Sequence, residues 1–233
     1  MSTEPSEIGG WLPLLLQTSD ALFPTGAYAH SLGLEEMVRL NVVHHEVTLR
    51  QFLTEHLLPT LQLQELPYLR FAVEAASDLD ALCVVDREMN TWKLSKETRE
   101  ASIQIGCRRI KALRAISAAP LLLAFEQQVQ AGLAFGHHLS ACAIQAVTQG
   151  IPLEAALTTY AYQTLAGACA AALKLIRIGQ DGCQRVLAFA TQQLSSVVNA
   201  SYRVERHVAG CFSPLLEIAS MRHAYANERL FIS

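Results

Sequence analysis

The chain has 233 residues and a formal net charge of -3, and 51% of its residues are hydrophobic against 17% that are charged. This length can bury one large core or two small ones, and the high apolar fraction excludes a disordered chain. The slightly acidic balance argues against nucleic acid as the main partner, because binding phosphates requires an excess of Lys and Arg.

Residues 1–10 are polar and acidic, which predicts a disordered N-terminal tail without the basic and apolar regions of a signal peptide. No uninterrupted run of about eighteen apolar residues indicates a membrane span. The six cysteines are widely spaced and form no Cys-x-x-Cys pair, as is typical of reduced thiols in a cytosol. The sequence therefore predicts a soluble, cytoplasmic protein.

From Trp11 onward the spacing of apolar residues predicts helices, because Ala, Leu and Gln are abundant and runs of β-branched residues are short. Nothing indicates the alternation of strands. Residues 11–233 are therefore predicted to form a single all-α domain of roughly nine or ten helices. Pro and Gly predict breaks between these helices at residues 23–26, 150–152, 179–182 and 213–214.

Two long helices are predicted over residues 153–178 and 187–208, where apolar side chains alternate at three- and four-residue spacings. The short break between them predicts an antiparallel pair. A third periodic run, from Ile103 to Ile116, lies in a helix predicted to begin at the Ser95 N-cap.

Two short segments have more than one explanation. Residues 166–172 are all small, which indicates close helix packing or, less commonly, room for a passage between helices. Residues 108–114 include four cations, which would suit an acidic partner, although a solvated helix face explains them more often.

The familiar catalytic motifs are absent, since there is no phosphate-binding loop, dinucleotide fingerprint, nucleophile elbow or His-Glu-x-x-His. His138 with Cys142, and His207 with Cys211, stand four residues apart, which places each pair on one helix face as a metal site requires. A closed site needs four donors, and no further ligand stands at a fitting offset. No resident metal is therefore predicted.

Residues 20–35 combine a turn, an aromatic side chain, an imidazole and two glycines. Gly26 and Gly33 would each cost about 1 kcal/mol relative to Ala inside a helix, so their proximity indicates a capped turn with close packing. Tyr28 and His30 are amphipathic side chains, and either a protein interface or a buried core explains them.

Residues 222–233 contain two arginines, a histidine, a tyrosine and a Leu-Phe pair. Arg and aromatic side chains together are typical of interface hot spots, which indicates a docking tail for another protein. The alternative is a last helix that packs its apolar face on the protein's own core.

Taken together, the two terminal segments resemble the urease accessory protein UreF family. The family's N-terminal pattern, Asp-Ala/Ser-x-Phe/Leu-Pro-x-Gly-x-Tyr/Phe-x-His/Tyr-Ser-x-Gly-Leu-Glu, is matched by residues 20–35. Its other patterns are matched by residues 97–102 with Gly106, by Gly136-His137, by 175–180 with Gln184, by 218–223 and by 229–233. The positions that replace the family's usual Gly, Pro and Glu are Ala27, Arg177 and Ala224.

The resemblance implies an all-α, homodimeric, non-enzymatic chaperone that helps to insert nickel into apo-urease and holds no permanent cofactor. It also implies binding to UreD, called UreH in some systems, and recruitment of the GTPase UreG, with nickel in transit only. Tyr28 and Arg229 are expected as the main contacts among the partner-binding residues Pro24, Gly26, Tyr28, His30, Ser31, Glu35, Arg222, His223, Arg229, Leu230 and Phe231. The residues expected to support the structure or to line a passage are Arg99, Ser102, Ala168, Gly179, Gln180 and Gln184.

Two other functions fit the same sequence. A small helical metal-binding enzyme would use the His/Cys pairs and would retain stoichiometric metal through purification. A pure regulator of UreG would change GTP hydrolysis without any passage for nickel.

Overall fold

The computed structural model describes residues 9–26, 30–210, 213–223 and 230–231. Within these ranges the chain is helical and forms no strand, which confirms the predicted all-α class. The helices are α1 (Trp11–Ser19), α2 (Leu34–Arg39), α3 (Glu46–Phe52), α4 (Leu58–Thr60), α5 (Leu66–Ala75), α6 (Leu79–Trp92), α7 (Lys96–Arg114), α8 (Pro120–Gln130), α9 (His138–Thr148), α10 (Leu153–Leu175), α11 (Gly179–Thr191), α12 (Leu194–Ser201) and α13 (Pro214–His223).

Helices α3, α4 and α5 form one continuous helical segment that contains two π-helical turns, Leu53–Leu57 and Leu61–Glu65. Each π turn is followed closely by a proline, Pro59 in α4 and Pro67 in α5. Proline has no amide proton to donate within a helix, and a widened turn accommodates the missing bond. The segment therefore continues as a helix through two prolines.

Helix α9 packs against both α5 and α7, and its inner face has no exposed surface at Leu139, Ala143 and Ile144. The approach of α7 is close because Gly106 has no side chain. A Cβ built at Gly106 would lie 2.0 Å from the carbonyl oxygen of Gly136, so only glycine fits where α7 crosses the loop before α9.

The start of α9 is held by Asp86 of α6, which has no exposed surface. The Asp86 carboxylate accepts hydrogen bonds from the backbone amides of Phe135 (2.6 Å), Gly136 (3.1 Å) and His137 (2.8 Å). It also accepts one from Ser140 Oγ at 2.6 Å. A buried carboxylate thus satisfies amide groups that a helix start leaves without partners.

The long helix predicted over residues 153–178 is found as α10, and the helix predicted from Ser95 is found as α7. The Ser95 hydroxyl has no hydrogen-bond partner among the described residues, but its backbone amide donates to Glu217 Oε2 of α13 at 2.9 Å. The serine therefore marks the start of the helix without capping it through its side chain.

Two predicted boundaries are wrong. The helix predicted over residues 187–208 is divided into α11 and α12 by Gln192-Gln193 and ends at Ser201. The break predicted at residues 179–182 lies instead at residues 176–178, and α11 begins at Gly179. Neither 176–178 nor 191–193 contains Gly or Pro, so the residue types gave no signal there.

The five cysteines that the structure describes are free thiols, in agreement with the predicted absence of a disulfide framework among them. Of the helices in the described ranges, none combines the length and the apolar character needed to cross a membrane. The predicted disordered tail falls mostly on residues 1–8, outside the described residues.

Candidate docking surface and the cavity beneath it

The N-terminal segment and the C-terminal tail lie against each other in the fold. The Glu35 carboxylate in α2 accepts hydrogen bonds from the backbone amides of Leu230 (2.8 Å) and Phe231 (3.2 Å). The Phe231 side chain is only 5% exposed, and Lys174 Nζ of α10 lies 5.5 Å from its ring centroid. Phe231 therefore anchors the tail in the protein's own core, whereas the neighbouring Leu230 is 71% exposed.

The contact between α2 and α13 is both apolar and ionic. Gly33, which has a φ of +82°, precedes α2 and lets α13 approach so closely that a Cβ there would lie 3.4 Å from Ala219. The buried Glu36 carboxylate pairs with Arg39 at 2.6 Å and with Arg222 of α13 at 2.9 Å. The hydrogen bond from Arg39 is the main cause that holds the pKa of Glu36 below its usual value.

Helix α13 is apolar on two faces. Leu216 and Ala219 are buried against the rest of the protein, while Leu215, Ile218 and Met221 are exposed at three-residue spacing. An isolated surface helix normally turns one apolar stripe inward and a polar face to water, and a helix that is apolar all round is normally buried. The outer face of α13, defined by these three exposed side chains, therefore lacks a covering partner within the described chain.

A cavity of about 390 Å³ lies beneath the contact between α2 and α13. Its walls include Phe23 and His30 from the N-terminal segment and Ser102 from α7. Gly167 of the small-residue helix and Glu217 of α13 complete the opposite sides. The segments that carry the sequence motifs, although far apart along the chain, thus meet around one cavity.

One wall of the cavity carries a buried ion pair. Lys93 Nζ lies 2.7 Å from Glu65 Oε1, and the Tyr160 hydroxyl donates to Glu65 Oε2 at 2.8 Å. Burial, followed by the nearby Glu65 carboxylate, raises the pKa of Tyr160 well above its usual value, so the phenol remains a donor. Lys93 Nζ also lies 4.4 Å from the ring centroid of Trp92, which lines the same cavity.

Arg109 of α7 stands in the cavity wall with only 5% of its surface exposed. Its Nε and Nη2 donate to Gln145 Oε1 at 2.9 Å and 2.6 Å, and Gln145 Nε2 donates in turn to Thr18 Oγ1 at 2.6 Å. The guanidinium carbon lies 5.6 Å from the ring centroid of Phe23. The buried Arg109 guanidinium therefore contacts a neutral hydrogen-bond acceptor and an aromatic ring.

The prediction that residues 108–114 form a solvated face is wrong for Arg109. Arg108, Lys111 and Arg114 are exposed, but Arg109 points to the opposite side of α7 and into the interior. Consecutive residues on a helix lie about 100° apart, so a run of cations cannot share one face.

The histidines near the cavity are uncharged at neutral pH. Burial, followed by the charges of Arg109 and Lys93, holds the pKa of His138 well below its usual value. Burial also lowers the pKa of His137 to about 4 and is the first cause that lowers the pKa of His30. Across the described ranges, no group of three or more His, Cys, Asp and Glu side chains lies close enough together to hold a metal ion.

A UreF family model matches residues 43–191, which is more than half of the chain. A urease accessory protein UreF from Arthrobacter sp. (strain FB24) is 32% identical over 227 residues, which cover 97% of this chain and 98% of that relative. The chain belongs to the UreF family of urease accessory proteins. A second urease accessory protein UreF, from Paenarthrobacter aurescens (strain TC1), is 32% identical over 219 residues that cover 94% and 96% of the two chains.

The residues expected from the UreF resemblance to contact partners fall into three groups. Pro24, Arg222 and Leu230 are exposed, and Gly26 and Glu35 are partly exposed. The buried members of the set are His30, Ser31 and Phe231. The third group lies outside the described residues and consists of Tyr28, Arg229 and the side chain of His223. The same holds for Ala27 and Ala224, which depart from the family pattern, and for Cys211, which is a candidate metal ligand from the sequence.

The residues expected to line a passage are not all at the cavity. Ser102 lines it, and Arg99 donates from Nη1 to the backbone oxygen of the lining residue Lys93 at 2.8 Å. Ala168 has no exposed surface and packs in the core, whereas Gly167 of the same helix faces the cavity. The other three expected residues are exposed at the start of α11 and do not line the cavity, namely Gly179, Gln180 and Gln184.

Sequence reasoning missed the outer face of α13 and the buried Arg109. The three-residue spacing of Leu215, Ile218 and Met221 is visible in the sequence, but Leu216 and Ala219 on the other face obscure any single apolar stripe. No local signal distinguishes Arg109 from its exposed neighbours.

Proposed function

We propose that this chain is a non-enzymatic scaffold of urease maturation, which binds UreD (UreH), recruits the GTPase UreG and helps to deliver nickel to apo-urease. In this proposal it works in the cytoplasm as a homodimer, as the resemblance implies. The observation that carries the proposal is the uncovered outer face of α13, beside the tail that Glu35 holds in place.

The outer face of α13 has the composition of a protein interface. Leu215, Ile218 and Met221 offer apolar area, and the partly exposed Arg222 lies next to them along the helix. Burying one such aliphatic side chain stabilises a complex by roughly 1.5–3 kcal/mol, so three of them form a useful centre. Of the two tail residues that the structure describes, Phe231 is anchored inward and Leu230 is exposed, so Leu230 can extend this surface.

The cavity supports the part of the proposal that concerns transit. It lies directly behind α13 and is bounded on another side by Gly167, where a Cβ would meet no atom within 4 Å. A docked partner on α13 would therefore sit next to an internal space. The small residues of α10 contribute to this space through Gly167 and Ala170 rather than through Ala168.

The docking proposal is tested by changing Ile218, which is 52% exposed, to Glu. A carboxylate at the centre of an apolar contact loses its water, so Ile218→Glu should abolish the complex with UreD and UreG in gel filtration with light scattering. Val84→Glu, at a 41% exposed position of α6, is the matched control and should leave the complex intact. An undiminished complex with Ile218→Glu would refute the docking surface, and the same runs report whether the chain is a dimer.

The transit proposal has a separate test. Gly167→Leu should narrow the cavity and lower the nickel content of urease matured with this chain, while the complex with UreD and UreG still forms. Gly167→Ala adds a single methyl group and should keep normal nickel loading. Normal loading with Gly167→Leu would separate the scaffold role from any passage and favour the pure regulator.

A further inference from the structure

Several hydrogen-bond donors on the cavity wall make no hydrogen bond to the described residues. Of the Arg109 nitrogens, Nε and Nη2 share Gln145 Oε1, and Nη1 has no acceptor among the described residues. Trp92 Nε1 is buried and has no acceptor among the described residues. The Gln64 side chain, 3% exposed in the cavity wall, makes no hydrogen bond to the described part of the chain. Buried polar groups normally find partners, so the enclosed Trp92 donor, beside two groups that border the same space, indicates a place for a further acceptor.

The charge of Arg109 is also uncompensated. No carboxylate of the described residues lies within ion-pair distance of its guanidinium, whereas the other buried cation, Lys93, is paired with Glu65. A buried charge without a counter-ion costs several kcal/mol, and a neutral amide oxygen offsets only part of that cost.

The remaining carboxylates of the cavity wall have donors of their own. Asp20 is exposed and accepts the backbone amide of Leu22 at 2.8 Å. Glu217 accepts the backbone amide of Ser95 at 2.9 Å. Neither carboxylate is positioned by these contacts as the counter-ion of Arg109.

The neighbouring imidazole of His138 also lies close to positive charge. Buried His138 carries an Nε2 without a hydrogen-bond partner among the described residues, and burial, followed by the charges of Arg109 and Lys93, lowers its pKa. The neutral ring can donate or accept one further hydrogen bond. This side of the cavity thus favours an anion.

We propose that the cavity binds a small oxyanion with one negative charge, of the bicarbonate and carboxylate class, against Arg109. The planar guanidinium matches a planar two-oxygen head group, and Gln64 and Trp92 supply further donors. Gln64 reaches this position from the π-helical turn Leu61–Glu65, a type of turn that is frequent at functional sites. The inference concerns the chain alone and does not rest on the proposed scaffold function.

The test is isothermal titration of the full-length chain with sodium formate and, separately, with sodium bicarbonate, using sodium chloride at matched ionic strength as the reference. Both oxyanions should bind saturably at one site, and chloride should not. Arg109→Met should weaken this binding by at least about tenfold, because the paired charge is lost.

A second pair of variants keeps the polar groups in place. Gly167→Leu adds a side chain at a wall position of the cavity where a Cβ meets no atom within 4 Å, and should weaken binding. Gly167→Ala should bind both oxyanions with unchanged affinity. Circular dichroism of each variant confirms that the helices are retained.

Three results would overturn the proposal. Heats that match those of sodium chloride would mean that no oxyanion site exists. Binding that survives in both Gly167→Leu and Arg109→Met would place the anion elsewhere on the surface. Saturable uptake of Ni²⁺ alone, lost in Gly167→Leu while oxyanions fail to bind, would assign the cavity to a cation.

Discussion

At the scale of single residues, Asp86 illustrates how one buried carboxylate organises a helix start. It accepts three backbone amides and one hydroxyl at the beginning of α9, from a position with no exposed surface. Helix α9 in turn positions His138 in the cavity wall. The side chain that builds this part of the candidate site therefore does not itself line the cavity.

Replacing Asp86 by Ala should lower the free energy of unfolding by about 3 kcal/mol or more, because several buried donors lose their acceptor together. The control is Asp78→Ala. Asp78 is exposed and accepts from the amides of Asp80 (3.0 Å) and Ala81 (3.3 Å) at the start of α6, so its loss should cost about 1 kcal/mol. Urea denaturation of both variants makes the comparison, and equal losses would contradict the network at Asp86.

At the scale of elements, the tail and α2 form one unit through Glu35. Its carboxylate holds two amides of the tail, and Phe231 fills the core beside them. The self-packing that the sequence leaves open for the tail is therefore found at Phe231, while docking stays a proposal that concerns the exposed Leu230. Phe231 packs inward and Leu230 faces outward.

Glu35→Ala should release the tail from α2, because the amides of Leu230 and Phe231 lose their acceptor. Hydrogen exchange of the C-terminal peptide, followed by mass spectrometry, should accelerate by at least about tenfold. Glu55→Ala, at an exposed helical position without a hydrogen bond to the described residues, is the control. Unchanged exchange in Glu35→Ala would mean that Phe231 alone fixes the tail.

At the scale of the whole molecule, buried neutral histidines make stability depend on pH. The pKa of His137 is about 4 in the folded protein, against an ordinary value of 6.5, and burial is the largest cause. Below pH 6.5 the unfolded chain binds a proton that the folded protein excludes, so stability is complete above that pH and falls as the pH decreases toward 4. His30 and His138, whose pKa values are also lowered, act in the same direction.

Between about pH 7.5 and pH 5, His137 alone should remove about 2 kcal/mol from the free energy of unfolding. Urea denaturation across this range measures the loss. His137→Gln, which cannot be protonated, should show a smaller pH dependence, whereas His207→Gln at an exposed position should behave like the original chain. A flat profile in the original chain would show that these histidines have the same pKa in the folded and the unfolded chain.

The sequence determined the helical class, the long α10 and the start of α7, because helical periodicity and turn residues are local properties of the chain. It did not determine the division between α11 and α12, where Thr191, Gln192 and Gln193 are compatible with a continuous helix. Packing against α10 and α5 decides that boundary. Local preference is weaker than the burial of a whole helix face.

The motifs likewise indicated the N-terminal segment and the tail as candidate functional segments, but they did not show how the two are arranged in space. Only the tertiary structure brings residues 20–35, α7, α10 and α13 around one cavity, because those contacts join parts of the chain that no short-range pattern relates. Arg109 shows the same limit at one residue. Its charge is visible in the sequence, but its burial and the absence of a carboxylate partner among the described residues depend on the helices that surround it.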